Sequence, residues 1–119
     1  MSKKILIVDD DPINLKLFKI IAEKNNIEYD YATDGLVAKE LIIKNNYSLI
    51  LLDIALPGLN GIELLDFMKT LENRPKVIAI TAYAMDGDEE KILAAGACEY
   101  IPKPINVEEL VKKINKYLK

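Results

Sequence analysis

Asp9-Asp10-Asp11, Asp53, Thr81 and Lys103 each follow a stretch that reads as a strand: Ile5-Leu6-Ile7-Val8, Leu49-Ile50-Leu51-Leu52, Val77-Ile78-Ala79-Ile80 and the brief Glu99-Tyr100-Ile101. The first three are continuous apolar runs, the pattern of strands buried on both faces. Where such a run stops at a polar residue and turn punctuation follows, as Pro57-Gly58 follows Asp53, that residue sits where a strand hands the chain to a loop. Carboxylates brought together there without a cation would repel one another and desolvate poorly. A hard divalent ion is their natural counter-charge, and Mg²⁺ is the expected one. Its ligands would be Asp10 and Asp53, Asp9 through water, and the backbone carbonyl of Ala55. Lys103 supplies a point charge for a phosphate oxygen and Thr81 a small hydroxyl donor for another. So equipped, Asp53 is a nucleophile able to take a phosphoryl group as an acyl phosphate.

The remaining chain must position these groups. Asp11 is a candidate N-cap and Pro12 a first helical residue. From Ile13 to Lys24 the residues Ile13, Leu17, Phe18, Ile20 and Ile21 form one apolar arc, extended by Leu15 and Ala22, mainly core and in part a docking surface for a partner helix. Ile27 to Ala32 alternates, as a half-exposed edge strand does. Thr33-Asp34-Gly35 opens a second helix through Val37, Ala38, Leu41 and Ile42, and Leu64, Leu65, Met68 and Leu71 mark a third that closes before Pro75. Asp86 to Ala95 reads as a short charged helix stopped by Gly96. Asn106-Val107-Glu108-Glu109 has capping-box form, with Leu110, Val111, Ile114 and Leu118 as the buried stripe of the last helix. Regular alternation of five strands with five helices predicts an α/β fold with a flavodoxin-like, doubly wound five-stranded parallel sheet in the order 2-1-3-4-5. In that order the first and third strands are neighbours, so Asp9, Asp10 and Asp53 share one crevice that Thr81 and Lys103 border.

Composition narrows the function. The 119 residues suit one domain, with no output domain expected after Lys119, so any output would be by contact. A net charge of -3 gives no general attraction to nucleic acid or to an anionic membrane surface. With no histidine in the chain, Ser-His and Cys-His nucleophiles and His-ligated zinc are excluded, and any histidine in its chemistry belongs to a partner. Cys98 has no cysteine to pair with and reads as a spectator; the N-terminus lacks a secretory apolar core, and no apolar run approaches the roughly 20 residues of a membrane span, so the chain is expected to be cytoplasmic.

Taken jointly, Asp9-Asp10, Asp53 with Leu56-Pro57 and Gly61, Thr81-Ala82 and Lys103-Pro104 resemble the receiver domains of two-component response regulators over the whole chain. The resemblance implies that Asp53 accepts a phosphoryl group from a histidine kinase or phosphotransfer protein, and that Asp9 and Asp10 organise Mg²⁺. It further implies that Lys103 contacts the phosphoryl group, that Thr81 and Tyr100 form a switch pair, and that the Lys103-Pro104 bond is cis. Such a chain is a phospho-acceptor that promotes its own phosphorylation and dephosphorylation and not an enzyme with a free product. Its output surface would be helix four, strand five and helix five, read by a downstream protein that the residues do not identify. Asn14, Asp11-Pro12 and Ala84-Met85 make it similar to single-domain cell-cycle regulators and to receivers attached to hybrid kinases.

Other readings fit less well. A haloacid-dehalogenase-like phosphatase needs a second acidic cluster after its lysine, where this chain has only Glu108-Glu109 at a helix start. A flavodoxin needs a Ser, Thr and Gly-rich phosphate loop in place of three aspartates. A phosphorylation-independent receiver would lack some of the acidic, Thr or Lys positions, and all are present. Ala55 offers no side chain to orient an attacking water and Tyr83 sets a bulky ring beside its approach, so the phosphorylated form is expected to persist. Ala55→Asn combined with Tyr83→Glu should hasten phosphate loss by about tenfold or more, a barrier change of about 1.4 kcal/mol. A time course at fixed Mg²⁺ that shows no acceleration would refute this control of water access.

Overall fold

A computed structural model of the chain describes residues 4–54, 56, 60–81 and 88–118. Among them strands and helices alternate: β1 (Lys4–Val8), α1 (Pro12–Lys24), β2 (Glu28–Ala32), α2 (Gly35–Lys44), β3 (Leu49–Asp53), α3 (Gly61–Met68), β4 (Lys76–Thr81), α4 (Asp88–Ala94), β5 (Glu99–Pro102) and α5 (Val107–Leu118). The sheet runs β2-β1-β3-β4-β5 with every pairing parallel. This is the arrangement the apolar runs predict: β1, β3 and β4 lie inside the sheet, and the alternating β2 and short β5 form its edges.

Alternation along the strands divides the core into two layers. Leu6, Val8, Ile50, Leu52, Val77 and Ala79 pack with Ala38, Ile42, Leu64, Leu65, Met68 and Ile92 from α2, α3 and α4. Ile5, Ile7, Leu49, Leu51, Ile78, Ile80 and Ile101 pack with residues of α1 and α5, including Phe18, Leu110 and Ile114. Local chemistry fixes the helix starts. The Ile13 amide donates to the Asp11 carboxylate, with Pro12 at the first position, and the Val37 amide donates to Asp34 at 2.8 Å. Asn106 accepts from the Glu109 amide at 3.0 Å, the expected half of its capping motif.

Three expectations change. The buried residues of α1 are Leu15, Phe18, Ile21 and Ala22, whereas Ile13 is 79% and Ile20 40% exposed. The helix faces the sheet along the 15-18-22 line, so the predicted arc is rotated: in a helix apolar on most sides, hydrophobicity does not select the inner face. For the same reason Val37 of α2 is exposed while Gly35, Ala38 and Ile42 are buried. Leu71 lies past the end of α3 and packs only partly against the core. The expected start of the fourth helix, Asp86, is outside the described residues; α4 runs from Asp88, and Gly96 beyond it has φ +122, a conformation suited to glycine.

Candidate functional site

The neighbouring of β1 and β3 builds the site. Val8 pairs with Leu52, so Asp9, next after β1, and Asp53, the last residue of β3, lie side by side at the carboxyl end of the sheet. The Asp9 amide still donates to the Ala32 carbonyl at 3.1 Å, which holds this residue in the interior, and its side chain is wholly buried. Asp53 is 4% exposed and Asp10 is exposed. Each of the three offers a carboxylate oxygen within 4.8 Å of the others.

Lys103 answers this charge. Its amide donates to the Thr81 carbonyl at 2.8 Å, which brings the residue to the end of β4, and the Lys103-Pro104 bond is cis as expected. Its Nζ lies 3.2 Å from Asp53 Oδ2 and 3.7 Å from Asp9 Oδ2. Asp9 Oδ1 accepts from the Asp11 amide at 2.9 Å, but Asp9 Oδ2 is buried without a hydrogen-bond partner. Burial pushes the Asp9 carboxyl up to about 6; the Asp11 amide and Lys103 oppose the rise, while the neighbouring Asp53 carboxylate adds to it. A hard divalent cation fits this donor set, because it would satisfy the orphaned oxygen and add positive charge beside three clustered carboxylates.

Thr81 closes β4 and is buried. By strand alternation it shares a sheet face with Tyr100 of β5, which stands opposite Ala79 and packs partly against the layer of α2, α3 and α4. Cys98 is half-buried, its amide bonded to the Val77 carbonyl near the start of β4, far from these groups at the other end of the strands. Ala55, the expected carbonyl ligand, lies outside the described residues, as do Pro57, Gly58, Ala82, Tyr83, Ala84 and Met85.

Two further features at the start of α3 support the site. A Cβ at Gly61 would stand 2.6 Å from the Ile54 Cα, so only glycine lets the start of α3 abut the backbone directly after Asp53. Asn60 and Glu63 cap that helix reciprocally, a motif visible in their spacing.

Residues 5–115 match the family model of the response regulator receiver domain. The chain is 40% identical over 120 residues to the polar-differentiation response regulator DivK of Brucella ovis, covering 99% of this chain and 98% of that protein. The receiver domain of sensor histidine kinase PA1611 from Pseudomonas aeruginosa PAO1, crystallised with a magnesium ion coordinated in the active site cleft, is similar at TM-score 0.89 and 30% identity, covering 99% of this chain and 98% of the other. A chain of the co-crystal structure of the Saccharomyces cerevisiae histidine phosphotransfer protein Ypd1 with the receiver domain of the response regulator Ssk1 is similar at TM-score 0.89 and 29% identity, covering 98% and 89%.

Proposed function

Because the chain belongs to the response regulator receiver family, we propose that it is a phospho-accepting switch in which Asp53 takes a phosphoryl group from a phosphohistidine of a histidine kinase or phosphotransfer protein. The observation that carries this reading is the buried Asp53 carboxylate held by Lys103 beside a second buried carboxylate with an unsatisfied oxygen. The magnesium in the cleft of the Pseudomonas receiver and the phosphotransfer protein bound in the yeast complex support it.

An Asp53 oxygen attacks phosphorus, and the P–O bond forms as the P–N bond to the partner's imidazole breaks, the electron pair leaving with the imidazole nitrogen. The donor must be external, since the chain has no histidine. Asp9, Asp10 and Asp53, with the Ala55 carbonyl, would hold Mg²⁺, which when bound supplies positive charge for the transferring phosphoryl oxygens. Lys103 already touches Asp53 and turns its charge to one phosphoryl oxygen, and the Thr81 hydroxyl donates to another. Movement of Thr81 toward the phosphoryl group draws Tyr100 inward and shifts the population of the surface formed by α4, β5 and α5. The donor docks on the exposed apolar side of α1 that carries Ile13 and Ile20 and begins beside the acidic loop.

The chain thus promotes its own phosphorylation and dephosphorylation and signals by protein contact, without direct nucleic-acid binding. Among the described residues no helix is long and apolar enough to cross a membrane, and we place the switch in the cytoplasm. Incubation with Mg²⁺ and phosphoramidate should add the mass of one phosphoryl group, and chelation of the metal should prevent it. Asp10→Asn should weaken Mg²⁺ binding and block the gain; an Asp10→Asn protein that binds Mg²⁺ and gains phosphate as the wild type does would overturn the site assignment.

A further inference from the structure

β5 presents only two side chains to α5. Ile101 and Glu99 stand opposite Ile80 and Ile78 on the α1 and α5 side of the sheet, while Tyr100 between them faces the other layer. Ile101 is an ordinary core contact with the layer that includes Leu110 and Ile114. Glu99 is different. Its Oε1 accepts from Lys116 Nζ at 3.1 Å and from the Tyr117 hydroxyl at 3.0 Å, and its Oε2 from Lys113 Nζ at 3.3 Å. The three bonds lower the carboxyl from its ordinary range, led by Lys116 and opposed by burial. Three charge-assisted bonds to one carboxylate, four-fifths withdrawn from solvent, hold the C-terminal half of α5 to the first residue of β5.

From this geometry we infer that Glu99 is a positioning residue that makes the C-terminal half of α5 follow β5, so that a change at Tyr100 is expressed at Lys113, Lys116 and Tyr117 on the far side of the sheet. A partner that reads phosphorylation on α5 then meets a surface carrying two lysines and a tyrosine hydroxyl whose arrangement Glu99 sets. Apolar packing tolerates sliding between a strand and a helix, whereas three directional bonds from one helix to one carboxylate do not. The coupling rests on the acceptor-site reading above.

Backbone amide spectra of the full chain, with and without Mg²⁺ and beryllofluoride as the phosphoryl mimic, separate the two. In the wild type, resonances near Asp53 and Thr81 and those of Lys113 to Tyr117 should all shift. In Glu99→Leu, which removes all three bonds and puts an apolar side chain beside Ile101, the shifts near Asp53 should persist while those of Lys113 to Tyr117 fall below half. Lys116→Met with Tyr117→Phe removes two of the bonds from the helix side and should reduce the α5 response in the same direction if Glu99→Leu does not fold. Wild-type-sized α5 shifts in the variants, or none in the wild type while the site responds, would overturn the coupling. Absence of any response near Asp53 in the wild type would instead defeat the acceptor site itself, and the coupling with it.

Discussion

Lys103→Met is expected to slow phosphorylation of Asp53 by about 10²- to 10³-fold, the scale of losing one preorganised donor to developing charge. Lys103 Nζ stands 3.2 Å from Asp53 and 3.7 Å from Asp9, so one cation serves both buried carboxylates. Methionine keeps the unbranched reach and removes the charge. Two consequences oppose one another, which makes the result diagnostic. Without the lysine the carboxylates repel more strongly, so Mg²⁺ should bind at least as tightly as in the wild type. The loss must therefore appear in the rate at saturating Mg²⁺, not in metal affinity. Rates of mass gain across a Mg²⁺ titration check this; a variant that reaches the wild-type rate at high Mg²⁺ would show that Lys103 serves only to neutralise the empty acidic cluster.

The second large effect is on stability. Asp9 has an ordinary carboxyl value of 3.8 and a folded value of about 6, raised first by burial. Between these values the folded chain holds more protons than the unfolded one, so the metal-free protein loses stability as pH rises from about 4 to about 6 and stays at the lower level above that. The loss is on the order of 3 kcal/mol. Asp9→Asn reproduces the protonated form: its carbonyl can accept from the Asp11 amide and its NH₂ can donate to Asp53. In chelator at pH 7 this variant should melt several degrees above the wild type and lose the pH dependence, and Mg²⁺ should raise its melting temperature less. A variant melting at or below the metal-free wild type, with the same pH slope, would show that Asp9 is not the strained group.

Repulsion within the acidic cluster is legible in the sequence, but its distribution is not. Asp9 and Asp10 are adjacent and identical in type, so the sequence does not say which of the two carries the repulsion. One residue decides the outcome: Asp9 is still bonded into the sheet through the Ala32 carbonyl, and Asp10 has left it for solvent. Strand order was legible because β1, β3 and β4 are apolar throughout and β2 alternates, and the polar residues at the strand ends follow from where those runs stop. The inner face of α1 was not, since Ile13 and Ile20 are as apolar as Leu15 and Phe18 and only the sheet chooses between them. The bonds to Glu99 span 14 to 18 residues and leave no local spacing to read. Gly61 stood in the motif with no visible reason, because the close approach it permits is to the backbone of Ile54.

The identity of the acceptor is tested most directly by trapping it. Borohydride reduces an acyl phosphate of aspartate to homoserine, so the protein is incubated with Mg²⁺ and phosphoramidate, reduced, and mapped peptide by peptide. Homoserine at position 53 and at no other aspartate is the expected result, with none formed when Mg²⁺ is chelated. Homoserine at Asp9 or Asp10, or a phosphoryl group that survives reduction on a hydroxyl side chain while Asp53 is unchanged, would contradict the assignment of Asp53 as the phosphoryl acceptor.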